Sequence, residues 1–184
     1  AAAGAYTLST VDKTAINTAY NQTQLYKINI DGSGYEQLSV FTPLTIPAEQ
    51  KGYVILSGMA VDSNENIWLL ENCYYEHFDE EGNWLNNTTQ IFLRQLDSTG
   101  AELNRYDLSG LAENKDSFYL KDLLIGDDNC LYTASENEIY AINTNGEIAF
   151  TLQSSTTLNG INLMADGSIF TTSSEDNQYI LKQV

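Results

Sequence analysis

Leu25-Tyr26-Lys27-Ile28-Asn29-Ile30-Asp31-Gly32 returns as Leu93-Arg94-Gln95-Leu96-Asp97-Ser98-Thr99-Gly100 and again as Ile139-Tyr140-Ala141-Ile142-Asn143-Thr144-Asn145-Gly146. Each copy alternates apolar residues with others, reaches Asn or Asp, and places a glycine three positions later. That pattern is a strand entering a tight hairpin turn. A second phrase interleaves with the first. Val61-Asp62-Ser63-Asn64-Glu65-Asn66-Ile67-Trp68 matches Ile125-Gly126-Asp127-Asp128-Asn129-Cys130-Leu131-Tyr132 and Leu163-Met164-Ala165-Asp166-Gly167-Ser168-Ile169-Phe170. Each copy runs from an apolar residue through a polar turn to an aromatic, and Asn, Asp and Gly suit such turns because they tolerate positive φ and bond their own backbone.

Two hairpins make one four-stranded antiparallel unit, with strands A–B from the second phrase and C–D from the first. The first-phrase glycines lie 68 and then 46 residues apart, and the second-phrase aromatics 64 and then 38. The shorter spacings approach the roughly 40–50 residues of a propeller blade. The reading is therefore an all-β, propeller-like array of four-stranded blades, with units at about 5–41, 53–109, 118–153 and 158–184 in one domain. The strands run B-C-D, A-B-C-D, A-B-C-D, A-B-C, about 3.5 blades. The first unit lacks A and the last lacks D, so the ends do not complement. The chain reads as part of a larger propeller, with a four-bladed ring as the alternative. An open arc leaves sheet edges that invite self-association. Segment 42–51 reads as a linker between units, and 108–115 as a single helical turn.

With 184 residues, 42% of them hydrophobic, the chain can bury a core. No stretch approaches the roughly 20 apolar residues of a membrane helix, so this segment is not expected to insert into a membrane. Ala1-Ala2-Ala3-Gly4 reads either as the trimmed end of an export segment or as the edge of a longer chain. A net charge of −17 makes nucleic acid and anionic lipid poor partners, since both need cationic contacts. Cys73 and Cys130 fall at opposite ends of their blades, which predicts two free thiols, and neither belongs to a zinc-type pair.

The middle unit carries an insert between strands B and C at 71–90 that holds the only histidine, His77, with Tyr74, Tyr75, Phe78 and Trp84. Aromatic density on a loop suits ligand binding. The competing reading has these rings cap the sheet or pack on a neighbouring blade. Asp79-Glu80-Glu81-Gly82-Asn83 reads as the hairpin tip. Calcium is conceivable there, but the alternating ligand spacing of a dedicated loop is missing. The acidic turns at Asp62 and Asp127-Asp128 read as turn chemistry. Asn86-Asn87-Thr88-Thr89 carries an N-x-[ST] sequon at both asparagines, relevant only in a glycosylating host. No Ser/His/Asp, Cys/His or paired-carboxylate set emerges, so no catalytic residue and no cofactor are assigned.

The phrases NIDGSGYEQLSVF, MAVDSNENIWLLE, the aromatic insert YYEHFDEEG, LRQLDSTGAEL and LSGLAENKDSFYLKDL resemble the N-terminal β-propeller region of Clostridia-type extracellular solute-binding (family 1) lipoproteins, with NHL- or quinoprotein-like repeats. The resemblance spans nearly the whole chain. It implies an exported, cell-surface, lipid-anchored parent in a gut bacterium, longer than this chain and with a propeller continuing past Val184. It carries no catalytic residues, and the solute-binding domain itself is not among these residues. The expected function is a noncatalytic extracellular binding or scaffolding module that takes a carbohydrate, peptide or protein through loops on one face. The rivals are a propeller enzyme (lyase, hydrolase or dehydrogenase) with a metal in its channel, and a structural spacer.

Overall fold

The computed structural model describes residues 5–10, 23–47, 50–113, 115, 118–164, 166–175 and 178–183. Their regular elements are strands and one 3-10 turn, Ser109–Ala112. Sheet I is β1 (Ala5–Thr10), β2 (Thr23–Ile28) and β3 (Tyr35–Gln37). Sheet II is β4 (Lys51–Val61), β5 (Ile67–Phe78), β6 (Trp84–Leu96) and β7 (Glu102–Asp107). Sheet III is β8 (Lys121–Ile125), β9 (Leu131–Ala134), β10 (Glu138–Ile142) and β11 (Ile148–Gln153). Sheet IV is β12 (Leu158–Leu163), β13 (Ile169–Glu175) and β14 (Gln178–Gln183). Each sheet is an antiparallel meander in sequence order. The structure is thus all-β and antiparallel, with the strands grouped as the two phrases require.

One turn closes hairpin after hairpin. The first turn residue takes the N–H of the residue three later on its carbonyl and donates its own N–H across the turn, at Asp62, Asp79, Asp97, Gly126, Asn143 and Met164. This is a type I turn ending in a left-handed residue, the three-residue hairpin loop. The two phrases are therefore the same turn in different clothing. Glycine usually fills the left-handed position, but Glu65 holds it with φ 64° and Asn129 with φ 60°. Glu65 is exposed there and pays for its Cβ. Glu65→Gly is expected to raise stability by up to about 1 kcal/mol, after the entropy that glycine adds to the unfolded chain, read as an increase in the thermal midpoint.

The turn aspartates use their carboxylates as backbone acceptors. Asp97 Oδ1 takes the N–H of Thr99 and Ala101, and Asp79 Oδ1 those of Glu81 and Asn83. Hydrogen bonds from Thr99 hold the Asp97 carboxyl below its ordinary value, those from Asn83 do so for Asp79, and those from Ser168 for Asp166. At Asp62 partial burial opposes ionisation, and the donors Asn66, Trp68 and Asn64 outweigh it. A carboxyl depressed on folding contributes stability that is fully present above its unfolded pKa, about 3.9, and is lost as pH falls through the lower folded value. The thermal midpoint is expected to drop below about pH 4, and Asp97→Asn to flatten that acid limb.

The sheets stack in sequence order with an apolar cluster between each neighbouring pair. Leu25, Leu38 and Phe41 meet Ile67, Leu69 and Leu96 between sheets I and II. Trp68, Leu70 and Leu93 meet Leu123, Leu131 and Tyr140 between II and III. Ala134, Ile139 and Ala141 meet Leu158, Ile161 and Ile169 between III and IV. Strand β5 is consequently covered on both faces, and its residues from Ile67 to Tyr74 are all buried. A strand buried on both sides loses the apolar/polar alternation, so Glu71 and Asn72 lie inside and require partners.

The first strands of sheets II, III and IV, namely β4, β8 and β12, touch in series. Each breaks register at the same place, around Gly58, Asp122 and Gly160, four residues before its turn begins. These bulges let the strands approach. A Cβ on Gly58 would lie 2.6 Å from both Leu123 Cβ and the Leu123 amide nitrogen. Because part of that clash is with backbone, Gly58→Ala is expected to cost about 1–3 kcal/mol by overpacking, measurable as a lower urea midpoint with unchanged m-value.

Candidate functional site: a cleft beside a projecting hairpin

The segment read as an inserted loop is strand. β5 and β6 continue as paired arms to the Asp79 turn, from Cys73 opposite Gln90 to Phe78 opposite Trp84. Cross-strand pairs of aromatic and Thr side chains favour this continuation. Tyr74 is buried and stacks on Tyr53 of β4, with centroids 4.9 Å apart and planes at 26°. Gly52 permits the approach of β4, since a Cβ there would stand 2.0 Å from the Tyr74 carbonyl oxygen. Lys51 Nζ lies 4.0 Å over the Phe78 ring. Tyr75 Oη donates to Gln90 Oε1 at 2.9 Å, and His77 Nε2 is 3.0 Å from Thr88 Oγ1. Trp84 is exposed.

Strand alternation divides these residues. Tyr74 and Phe78 continue the β5 face that carries Trp68, Leu70 and Asn72 toward sheet III, whereas Tyr75 and His77 share the opposite face. The five residues singled out from sequence therefore do not converge on one site. Burial pushes the Tyr74 phenol up to about 12, with Tyr53 and Tyr119 adding to the effect, so it stays protonated.

Tyr119 leads from the arm to a pocket. Lys115, just past the 3-10 turn, and Phe118 and Tyr119, just before β8, form one side of it. Glu136 and Asn137, in the tight β9–β10 turn, with Glu138 and Gln153 form the other, around a space of ≈ 360 Å³. Neighbouring hairpins differ in length on this side of the fold. The β5–β6 connection projects as a long arm, while the β9–β10 connection of the next sheet is closed at once by the bond from Ser135 N–H to the Glu138 carbonyl.

A polar network sets the pocket wall. Lys115 Nζ donates to Glu138 Oε2 at 2.9 Å and lies 4.5 Å from the centre of the Phe118 ring. Gln153 Nε2 donates to Glu138 Oε1 at 2.5 Å, and Tyr140 Oη donates to Glu138 Oε2. The Tyr140 bond, then Lys115 and Gln153, hold the Glu138 carboxyl below its ordinary value. Burial and the Glu138 carboxylate push the Tyr140 phenol well up. Sequence reading missed every one of these pocket residues. They come from three separate segments with no shared motif, so no local signal marks them.

The acidic turns have their oxygens occupied by their own donors, Asp79 Oδ2 by Asn83 Nδ2 and Asp62 Oδ2 by Asn66 Nδ2 and Trp68 Nε1. Among the described residues no group of three or more His, Cys, Asp or Glu is placed to hold a metal. Cys73 and Cys130 are unbridged. Burial, then the charge of Glu71, pushes the Cys73 thiol up to about 12, which makes it unreactive.

No family model matches this chain, and no curated protein matches it. Among solved structures, a protein of unknown function from Bacteroides caccae superposes with a TM-score of 0.40 at 11% identity, covering 88% of this chain and 68% of that one. A luciferin-regenerating enzyme superposes with a TM-score of 0.41 at 10% identity, covering 92% and 75% respectively. The functional reading accordingly rests on the residues of this chain.

Proposed function

We propose that this chain is a noncatalytic binding module built on part of a β-propeller, with its four meanders as successive blades of a larger ring. Three features support the propeller reading: sequential stacking of the sheets, the series of touching first strands, and the bulge repeated in each of those strands. The ligand seat is the pocket between the segment carrying Lys115, Phe118 and Tyr119 and the short β9–β10 turn. By its resemblance to solute-binding lipoproteins, the module belongs to an exported, cell-surface parent.

The observation that carries the binding reading is the pre-set wall of that pocket. Lys115, Tyr140 and Gln153 fix the Glu138 side chain through three donors before any ligand arrives. Such preorganisation lowers the entropy lost on binding. It also keeps the carboxyl ionised, whereas a general acid needs its pKa raised toward working pH. The pocket thus has the chemistry of recognition.

The test compares variants on the two sides of the arm. Titrations with peptide and oligosaccharide mixtures, followed by amide NMR shifts, locate the binding face. Tyr119→Ala is expected to weaken binding at least about tenfold, the range of an interface anchor, while Tyr75→Ala on the opposite face leaves it unchanged. Binding that ignores Tyr119 but responds to Tyr75 would move the site, and turnover of the bound compound would replace the module with an enzyme.

A further inference from the structure

We infer that the pocket takes a neutral, hydroxyl-rich ring, a pyranose unit of an oligosaccharide, laid against the Tyr119 side chain; the inference rests on the pocket being the ligand seat. Charge is the first argument. The ammonium of Lys115 and the carboxylate of Glu138 neutralise each other at 2.9 Å. Tyr140 and Gln153 complete the set around Glu138. A cationic ligand would therefore find that carboxylate already occupied and only the exposed Glu136 carboxylate free, and an anionic one would meet a paired ammonium, that same Glu136 carboxylate and a chain of net charge −17. A neutral ligand needs no charge partner, and its hydroxyls can donate to Glu136.

The second argument is the kind of polar atom left over. Among the described residues, the side chains of Tyr119, Glu136 and Asn137 have no hydrogen-bond partner, although all three line the pocket. Asn137 offers donors and an acceptor, Glu136 acceptors, and Tyr119 a hydroxyl of both kinds. Lys115 directs one N–H to Glu138 Oε2 and another to Tyr140 Oη, and an ammonium has three. A sugar hydroxyl both donates and accepts, so a mixed set of short-range partners suits it better than it suits a single charge.

The third argument is shape. Phe118 is buried and holds the floor, while Tyr119 beside it is 41% exposed. A flat ring presented at a pocket of ≈ 360 Å³ matches the apolar C–H face of a pyranose. The volume is at the small end of the roughly 300–1,000 Å³ of ligand pockets, which suits one ring.

The experiment is calorimetric titration of the described chain with a panel of neutral oligosaccharides (gluco-, xylo-, manno- and galacto-configured), one polyuronate oligomer and one mixed tryptic peptide pool. At least one neutral oligosaccharide is expected to bind. Its affinity should change by less than about twofold between low and high salt, because no charge pair is screened. Tyr119→Ala and, separately, Asn137→Ala should each weaken it by about tenfold or more. Both side chains are exposed, so the fold tolerates their loss. Binding of the uronate or the peptides instead, abolished by Tyr119→Ala, overturns the sugar assignment and leaves the pocket as the ligand seat. Absence of binding across all three classes overturns both.

Discussion

Arg94→Met is expected to lower folding stability by about 3–5 kcal/mol, the cost of stranding the partner of a buried ion pair. Arg94 lies near the C-terminal end of β6 and is only 1% exposed, as is Glu71 on the neighbouring strand β5. Its Nη1 reaches Glu71 Oε2 at 3.1 Å, its Nε reaches Glu102 Oε2 at 2.7 Å, and its Nη2 donates to the Thr42 carbonyl at 2.8 Å. The guanidinium carbon also stands 5.3 Å from the Phe41 ring centre. One side chain thus satisfies two carboxylates and a backbone carbonyl of the linker that leaves sheet I. Methionine fills much of the volume and satisfies none of them.

The pH dependence of that variant separates a stranded charge from lost packing. Burial pushes the Glu71 carboxyl up, with the Arg94 charge and hydrogen bonds opposing it. Without Arg94 the opposing pull is gone and the folded pKa rises further above its unfolded value. A carboxyl raised on folding is least harmful at low pH, where both states are protonated, and costs progressively more as pH climbs past the unfolded pKa, about 4.3. The deficit of Arg94→Met relative to wild type should therefore shrink on acidification. Pairing it with Glu71→Leu should recover part of the loss, because the uncompensated charge is removed with its partner. Urea unfolding at neutral and acid pH checks both points. A deficit under about 1 kcal/mol, or one independent of pH, would mean that Glu71 finds another partner.

How much of this was legible in the sequence depends on whether the signal was local. The hairpins were, because each turn needs a short side chain to cap its own backbone and a residue that tolerates positive φ, and Asp97 with Gly100 writes both within four positions. The 3-10 turn at Ser109–Ala112 and the grouping of strands followed from the same punctuation. The arm misled because Glu71, Asn72 and Glu76 interrupt the apolar run and look like a solvated loop. Two of those three are buried and paired with residues far along the chain. The same blindness hid the pocket. Lys115 and Glu138 are ordinary surface charges until the fold places them 2.9 Å apart. Aromatic content drew the sequence reading to the arm, whose five named residues are not among those lining the pocket, and strand alternation places Tyr75 and His77 on the face opposite Tyr74.

Asn72→Ala is the second large effect, expected at about 3–4 kcal/mol. Asn72 is 1% exposed on the sheet III side of β5. Its Oδ1 accepts from the Leu120 N–H at 3.1 Å, and its Nδ2 donates to the Leu120 carbonyl at 2.8 Å. The side-chain amide therefore does for Leu120 what a neighbouring strand would do, across 48 residues of sequence. Nδ2 also donates to Ser57 Oγ at 2.7 Å, which ties in the bulge of β4. Alanine leaves the Leu120 N–H and C=O buried without partners, at about 1–3 kcal/mol each. Asn72→Asp keeps the shape but sets a carboxylate against the Leu120 carbonyl, so it should be no better at neutral pH and should improve on acidification. Because Leu120 adjoins Tyr119 and Phe118, the same bond sets the floor of the pocket. The Leu120 amide should be among the slowest to exchange in the wild-type chain and lose that protection in Asn72→Ala. If it stays protected while stability falls, the loss comes from packing elsewhere and the amide clamp is not what joins sheet II to the pocket floor.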